Sequence, residues 1–419
     1  MSQETTTYLA DKFYTVRNQT LTLIEPLEQE DFVIQASSDV SPPKWHIAHT
    51  TWFFERMILQ EYADTYQVFH PAYNYLFNSY YNSIGPYQPR HQRGMLSRPT
   101  VKDVIAYRKH VDQAVLTFLQ EERDTSLQQK IEQLIEMGLQ HEQQHQELIL
   151  MDVKYNFFTN PLLPAYQTRQ VERTETDHSL SLEFTRFEGG LVEIGHDGRG
   201  FAFDNESPVH KVWLEPFELG TRPVTNREFL AFIEAGGYEQ SEYWLSDGFQ
   251  VVKQQQWKAP LYWMKDQQED WSIFTLNGVE PLQWDEPVCH VSFYEADAYS
   301  RWCGKRLPTE TEWEYVGRQV AQQGNFMEQG SFHPRSVSDT DHAIHGMFGD
   351  VWEWTASAYA PYPKSRALGE YNAKFMCNQM VLRGGACVTP GDHIRATYRN
   401  FFPPDKRWQF SGFRLAGDL

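Results

Sequence analysis

The chain has 419 residues, of which 37 are basic and 56 acidic, and its formal net charge is −19. This negative balance argues against nucleic acid and anionic membrane surfaces as partners. Residues 1–30 lack the apolar core of a signal peptide, and no run of 18 apolar residues occurs in the chain. The four cysteines show no CxxC spacing and suit a reducing compartment, so we expect a cytoplasmic protein.

Four apolar patterns with a helical period occupy the first part of the chain. They cover residues 5–26, 43–63, 100–122 and 128–155. The segment between the second and third patterns, residues 66–99, is long and irregular, and its many aromatic residues argue against disorder. We therefore predict an N-terminal all-α domain over residues 1–160, a four-helix bundle with one long crossover.

The fourth predicted helix carries two histidines four residues apart, His141 and His145. Residues at this spacing lie on one helix face, so the two imidazoles could bind one metal ion. Glu147 lies two residues after His145 and points away from that face, which makes it a poor ligand. An isolated HxxxH pair is often only a solvated pair, and a third ligand would have to come from another helix.

A second histidine cluster lies on the second predicted helix, where His46 and His49 are three residues apart. Either histidine could instead be a core residue bonded to a backbone carbonyl. Three histidines from two helices, without a carboxylate, would leave coordination positions open for a substrate and dioxygen.

The pattern changes in the second part of the chain to short strands, many glycines and scattered tryptophans. Residues 161–179 contain prolines and mixed charges and indicate a linker. Thr225 is placed to cap a short helix, and Gly304 is placed to end another. A further helix is predicted from Thr309 to about Val316. We predict an α+β domain over residues 180–419.

Six segments of this second part resemble the formylglycine-generating-enzyme-type fold, a C-type-lectin-related α+β scaffold. They are residues 189–195, 223–229, 306–314, 349–355, 382–385 and 411–414. The first part resembles DinB-like bundles, whose metal ligands are three histidines. Formylglycine formation itself is not expected, because Cys377 and Cys387 do not lie in the copper-binding cysteine motif of that fold. The second domain is expected instead to supply walls of a cleft shared with the bundle.

Together the two parts resemble the sulfoxide synthases of ergothioneine biosynthesis. These are non-haem iron oxidoreductases that join a thiol to the imidazole C2 of hercynine, using O2. The resemblance implies Fe(II) as the cofactor, with His49, His141 and His145, and not His46, as its ligands. It also implies that Gln144 contacts the substrate imidazole.

The long crossover matches the family at two further pairs of residues. Arg90 and Arg93 match arginines that hold the carboxylate of the sulfur substrate, for which a guanidinium fork is well suited. Tyr80 and Tyr81 match a pair implied as proton donors. Other members carry the catalytic tyrosine in the second domain, at a position that is Leu368 here, three residues before Tyr371.

Residues near the C-terminus match family positions that contact the amine groups of the two substrates. Asn400 and Phe401 match an Asn-aromatic pair near the trimethylammonium group of hercynine, which aromatic faces can bind. Members that use γ-glutamylcysteine have Asp and Arg where this chain has Phe402 and Lys406. The loss of the acidic residue favours free cysteine as the sulfur donor.

The expected substrates are therefore hercynine, cysteine and O2. The alternatives are γ-glutamylcysteine as donor, histidine in an ovothiol-type reaction, and a non-catalytic binding protein. The full set of histidines, tyrosines and arginines argues against the last alternative. The sequence does not indicate an oligomeric state.

Overall fold

The computed structural model describes residues 3–168, 181–266, 269–337, 343–365 and 372–419. The chain divides into two compact units, Met1–Gln167 and Thr168–Leu419. Most of the predicted linker, and the positions Leu368 and Tyr371, lie outside the described residues.

The first unit is helical. Its helices are α1 (Gln3–Ile24), α2 (Pro43–Phe54), α3 (Gln60–Tyr62), α4 (Tyr73–Phe77), α5 (Val101–Leu119) and α6 (Thr125–Phe158). The start of α5 is fixed by a capping box between Thr100 and Asp103, and Asp124 caps α6. Helix α6 packs against α1 and α2, and α2 packs against α5. This arrangement confirms the predicted bundle.

A π-helical turn, Glu55–Leu59, interrupts the second predicted helix between α2 and α3. At this turn Glu55 is buried, and its carboxylate accepts hydrogen bonds from the hydroxyls of Tyr66 (2.7 Å) and Tyr107 (2.5 Å). It also accepts one from the backbone N–H of Phe69, at 3.0 Å. The beginning of the long crossover is thereby attached to the bundle.

The crossover itself is more regular than its sequence indicates. It contains α4 and a 3₁₀ segment, Arg90–Met95. The physical reason is that buried aromatic rings such as Tyr73 and Phe77 anchor it to the bundle.

A buried ion-pair network sets the orientation of α6. The carboxylate of Glu142 accepts hydrogen bonds from Arg17 (2.6 Å), Thr20 (2.6 Å) and Arg108 (2.5 Å). Burial alone would raise the pKa of Glu142, but the guanidinium groups of Arg108 and Arg17 outweigh it and lower this pKa to about 2. Because Glu142 faces α1 and α5, the adjacent His141 is directed to a different side of α6.

The second unit is α+β, as predicted. Its helices are α7 (Asn226–Glu234), α8 (Ser246–Gln255), α9 (Phe293–Trp302) and α10 (Glu310–Gly317). Its strands are β1 (Phe184–Phe187), β2 (Gly190–Ile194), β3 (His210–Leu214), β4 (Phe217–Gly220), β5 (Trp263–Lys265), β6 (Trp271–Thr275), β7 (Gly278–Pro281), β8 (Trp352–Ala358), β9 (Met380–Arg383), β10 (Asn400–Phe402), β11 (Ser411–Gly412) and β12 (Ala416–Asp418).

The helix ends of the second unit follow their sequence signals. Thr225 and Thr309 each form a capping box with the glutamate three residues later. Gly304 has a φ of 67° just after α9, the left-handed conformation that glycine adopts without steric cost.

The strands form small sheets with the orders β10-β9-β8-β11, β1-β4-β12 and β5-β6-β7, together with the hairpin β2-β3. Strand β10 lies at one edge of the first sheet and pairs antiparallel with β9, so that Phe401 is opposite Val381. The edge position leaves one side of β10 without a strand neighbour in this sheet.

Buried ion pairs join the segments that carried the resemblance to the formylglycine-generating fold. Arg383 donates to Glu310 at 2.9 Å and to Glu314 at 3.1 Å. Arg414 forms a buried pair with Glu353 at 2.6 Å. These motifs are therefore recognisable because they hold the scaffold together, since a buried charge needs its partner.

Among the described residues, no helix combines the length and the hydropathy that crossing a bilayer requires.

Candidate metal centre

Three buried histidines from two helices meet inside the first unit. His49 comes from α2, and His141 and His145 lie one turn apart on α6. One ring nitrogen of each lies within 4.8 Å of those of the other two. Metal–imidazole bonds of about 2.0–2.1 Å allow two ligand atoms on one ion to be about 4 Å apart, so a small closure would bring all three onto one ion.

The three imidazoles are neutral at ordinary pH. Burial lowers the pKa of His141 to about 4. Burial, and then the charge of neighbouring histidines, lowers the pKa of His49 and His145 well below the usual range. Neutral imidazoles keep the lone pairs that bind a metal. The donor set therefore fits a divalent transition metal such as Fe(II), and three ligands leave coordination positions for other molecules.

The ring of His49 is held by one hydrogen bond and two stacked indoles. Its Nδ1 lies 2.6 Å from the carbonyl oxygen of Phe77, which can only accept, so Nδ1 carries the proton and Nε2 is left for a metal. Trp45 stacks on the imidazole at 4.5 Å between centroids, and Trp52 stacks on it at 5.6 Å. The neighbours of the ring thus leave it little rotational freedom.

Arg93 extends this stack. Its guanidinium carbon lies 3.3 Å from the ring centroid of Trp45, and its terminal nitrogens donate to Ser41 and Ser79, each at 2.9 Å. The side chain is buried. Stacking and hydrogen bonding together hold this cation beside the histidine cluster.

Arg90 lies close to the predicted proton donors. One of its terminal nitrogens is 3.4 Å from the hydroxyl of Tyr80, and another donates to the backbone carbonyl of Asp39. Tyr80 has a φ of 66°, the left-handed region that a bulky residue rarely adopts. The ring of Tyr81 packs against Trp52 at 5.7 Å, and Trp52 in turn stacks on His49.

Two other predicted positions of α6 differ in burial. Gln144 is partly exposed, whereas Glu147 is buried and does not belong to the histidine cluster. His46, one turn before Thr50 on α2, is buried and contacts both His145 and Asp152. Asp152 is the residue that the sequence patterns missed, because its contact with His46 joins positions 106 residues apart.

The predicted residues of the second unit lie on strand β10. The ring of Phe401 stacks on Tyr359 with centroids 4.1 Å apart and on Phe375 with centroids 5.7 Å apart. The side-chain oxygen of Asn400 accepts from the backbone N–H of Phe401 at 2.9 Å. Phe402 packs edge-on against Trp408, at 5.4 Å. All three are partly exposed.

Both units match known protein families. Residues 169–342 and 329–419 match the sulfatase-modifying factor enzyme 1-like domain, which covers more than half of the chain. The chain belongs to this family. Residues 12–149 match the DinB superfamily. The sulfatase-modifying factor domain thus carries an additional helical domain here.

Some relatives are similar to this chain over nearly its whole length, and therefore over both units. The hercynine oxygenase of Mycolicibacterium smegmatis is 29% identical over 98% of this chain and 99% of that protein. The hercynine oxygenase of Mycobacterium tuberculosis is 29% identical over 96% of this chain and 97% of that protein. The two domains and this similarity confirm the predicted relationship to the ergothioneine-type sulfoxide synthases.

Other matches cover about half of the chain. The formylglycine-generating enzyme of Streptomyces coelicolor is 30% identical over 56% of this chain and 88% of that protein. Among solved structures, PvdO from Pseudomonas aeruginosa gives a TM-score of 0.41 with 20% identity, over 56% of this chain and 94% of that chain. Among the described residues, no disulfide joins any of the four cysteines.

Proposed function

We propose that this protein is an Fe(II)- and O2-dependent sulfoxide synthase that joins L-cysteine to hercynine. An iron-dependent oxygenase activity is supported by the similarity to hercynine oxygenases over almost the whole chain. The observation that carries the proposal is the buried cluster of His49, His141 and His145 in the helical unit.

The reaction balances with O2 as the sole oxidant. A thiol, an imidazole C–H and O2 give a C–S bond, a sulfoxide oxygen and one water molecule. Forming the C–S bond removes two electrons and oxidising the sulfur removes two more, which together reduce O2 fully. Bound Fe(II) would supply open coordination positions for the thiolate and for O2.

The histidine cluster favours an anionic sulfur substrate. Because all three imidazoles are neutral, the proposed ligands would leave the full divalent charge of the metal uncompensated. A thiolate is then a preferred additional ligand. Holding both substrates beside one ion would provide much of the rate enhancement through proximity.

Arg90 and Arg93 are proposed to bind the substrate carboxylate. Both lie in the same 3₁₀ segment, one beside Tyr80 and the other stacked on Trp45. Two guanidinium groups at this place give a positively charged wall close to the histidine cluster. Such a wall is suited to a small amino acid whose thiolate points at the metal.

Tyr80 and Tyr81 are proposed as the source of the proton that the reduction of oxygen requires. The hydroxyl of Tyr80 lies beside Arg90, and the ring of Tyr81 is one aromatic side chain away from His49. A phenol can donate its proton and then recover it from solvent. Gln144, one turn after His141 on α6, is proposed to contact the substrate imidazole.

Asn400 and Phe401 are proposed to lie near the trimethylammonium group of hercynine. This group cannot donate a conventional hydrogen bond, so aromatic faces and carbonyl dipoles must recognise it. For the sulfur substrate, Phe402 is an apolar neighbour of Trp408, and Lys406 pairs with Asp405 at 3.3 Å. An apolar residue at position 402 does not provide a partner for a glutamyl amine, which supports free cysteine as the donor.

The test is anaerobic reconstitution with Fe(II), followed by air, hercynine and either cysteine or γ-glutamylcysteine. We expect mass spectrometry to detect hercynylcysteine sulfoxide from cysteine. His141→Ala should abolish the product, whereas His110→Ala, a change at an exposed histidine of the same unit, should not. Product from γ-glutamylcysteine alone would contradict the donor assignment. Metal binding without product from either donor would favour a binding protein.

A further inference from the structure

A series of buried, hydrogen-bonded side chains extends from His145 of the candidate metal centre to His46 and then to Asp152. The Nδ1 of His145 lies 2.7 Å from the Nδ1 of His46. The Nε2 of His46 lies 3.0 Å from Oδ2 of Asp152, and the same oxygen accepts the backbone N–H of Ser41 at 2.7 Å. His46 and Asp152 are each 2% exposed, so solvent does not compete for these contacts.

The donor and acceptor roles in this chain follow from the carboxylate. A carboxylate can only accept, so Nε2 of His46 carries a proton and donates it to Asp152. The Nδ1 atoms of His46 and His145 are 2.7 Å apart, a hydrogen-bond distance, so one of them donates and the other accepts. With the proton of His46 on Nε2, its Nδ1 accepts, and Nδ1–H of His145 is the donor. The remaining nitrogen of His145, Nε2, then keeps its lone pair.

We propose that His46 and Asp152 are positioning residues that select the tautomer of His145, making its Nε2 the metal-binding atom. This inference rests on the proposed role of His145 as a ligand. In metal sites, the hydrogen-bond partner of the second ring nitrogen fixes the orientation of a histidine and raises its basicity. His49 receives the corresponding contact directly from the carbonyl of Phe77, whereas His145 receives it through a second imidazole.

The spacing of His46 and His49 fits these two roles. Residues three apart on α2 lie on adjacent parts of one helix face, so His49 can belong to the ligand cluster while His46 lies behind it. His46 is not part of the ligand cluster. The two histidines of α2 therefore act on the same site in different ways.

The test measures Co(II) binding by its visible absorption and, separately, the protonated nitrogen of His145 by ¹⁵N NMR of the metal-free protein labelled at histidine. His46→Phe keeps a ring but removes both contacts. We expect it to weaken Co(II) binding by about 10–100-fold and to shift His145 towards the Nε2–H tautomer. His393→Phe is the matched control, because it removes a buried imidazole bonded to Tyr398 in the second unit.

Asp152→Asn provides a second variant that keeps the volume and an acceptor but removes the charge. It should weaken Co(II) binding less than His46→Phe, and it decides the question if His46→Phe does not fold. Unchanged Co(II) affinity and an unchanged His145 tautomer in the folded variants would overturn the proposal. If the wild-type protein binds no Co(II), or if His145→Ala binds it equally well, the proposed metal centre itself is wrong.

Discussion

At the scale of single residues, His49 and His145 are each oriented by a hydrogen bond to Nδ1, the ring nitrogen that is not the proposed ligand atom. His49 is tied to the carbonyl of Phe77, and His145 is tied to the ring of His46. The i, i+4 spacing on α6 predicts that two histidines share a face, because that relation is local. The groups that orient them, the carbonyl of Phe77 and the ring of His46, come from distant parts of the chain, so local spacing does not reveal these contacts.

Replacing the tyrosines one at a time tests the proposed proton donor. Tyr80→Phe and Tyr81→Phe each remove one hydroxyl and keep the ring, so the packing is preserved. We expect the variant of the true donor to lower kcat for sulfoxide formation by about 10²–10⁴-fold, the range typical of general acid catalysis.

The two tyrosine variants should retain the Co(II) affinity of the wild-type protein, because neither hydroxyl is a proposed ligand. Tyr87→Phe, at a ring 6.2 Å from Tyr80, is the matched control and should retain kcat. Wild-type kcat in both Tyr80→Phe and Tyr81→Phe would show that the proton comes from elsewhere.

A negative charge at position 402 tests the preference of the protein between cysteine and γ-glutamylcysteine as the sulfur donor. Phe402→Asp restores the acidic residue that the resemblance associates with γ-glutamylcysteine. We expect the ratio of product from γ-glutamylcysteine to product from cysteine to rise by about tenfold, which corresponds to about 1.4 kcal/mol. Phe402→Leu removes the ring contact with Trp408 without adding charge, and should leave the ratio unchanged. Equal ratios in both variants would count against the assignment.

At the scale of secondary-structure elements, the site depends on how closely α2 approaches α6. Gly138 faces α2 at this place, three residues before His141. A Cβ on Gly138 would lie 2.5 Å from Cε1 of Phe54 and 3.0 Å from Cε1 of Phe53. From sequence, Gly138 is only a weak point in a helical pattern. The absence of a side chain at Gly138 allows the two helices that carry the proposed ligands to pack closely.

Gly138→Ala should therefore destabilise the protein although alanine favours helix. The overpacking cost of about 1–3 kcal/mol exceeds the gain in helix propensity of up to about 1 kcal/mol. Urea unfolding should show the loss, and Co(II) binding should weaken because the spacing of His49 and His141 changes.

Met137→Ala is the control for this experiment, since it changes helix propensity at a more exposed neighbouring position. A stability of Gly138→Ala equal to or above that of the wild-type protein would show that the two helices can separate without cost.

The elements themselves were largely predictable from the sequence. The four long helices, the helix cap at Thr225 and the α+β character of the second unit follow from local periodicity and local hydrogen bonding. Local sequence patterns did not predict the π-helical turn at Glu55, and they did not predict the regular structure within the crossover. Both depend on Tyr66, Phe69 and Tyr107, which reach one buried carboxylate from different elements. Such contacts are set by tertiary packing.

At the scale of the whole molecule, buried charge is mostly neutralised by a partner, as in the pairs of Glu142, Glu310 and Glu353. Asp350 differs. Its Oδ1 accepts from Asn325 at 2.8 Å and from the backbone N–H of Arg335 at 2.9 Å. Burial outweighs these bonds and raises the pKa of Asp350 to about 6. The ionised carboxylate therefore lowers the free energy of unfolding above that pH.

Asp350→Asn should stabilise the folded protein at pH 8 by about 1–3 kcal/mol. Asparagine keeps the acceptor oxygen and tolerates the φ of 54° at this position. The folded pKa of the wild-type carboxyl is above its unfolded value, so its cost is present above about pH 6 and is lost as the pH falls below about 4.

Urea titrations at pH 8 and pH 4 measure this difference. The advantage of Asp350→Asn should be large at pH 8 and close to zero at pH 4. Asp350→Ala, which loses both hydrogen bonds, should be less stable than Asp350→Asn at both pH values. An advantage of the same size at both pH values would show that ionisation of Asp350 does not limit stability.

The stack of indoles around His49 has an optical consequence. Trp45 lies one turn before this histidine and Trp52 one turn after it, and both face its ring. An open-shell ion bound to His49 would lie within several ångströms of both indoles and would quench their emission. The site therefore contains its own fluorophores, and titration of the unlabelled protein with Fe(II) or Co(II) would follow occupancy directly through the loss of tryptophan fluorescence.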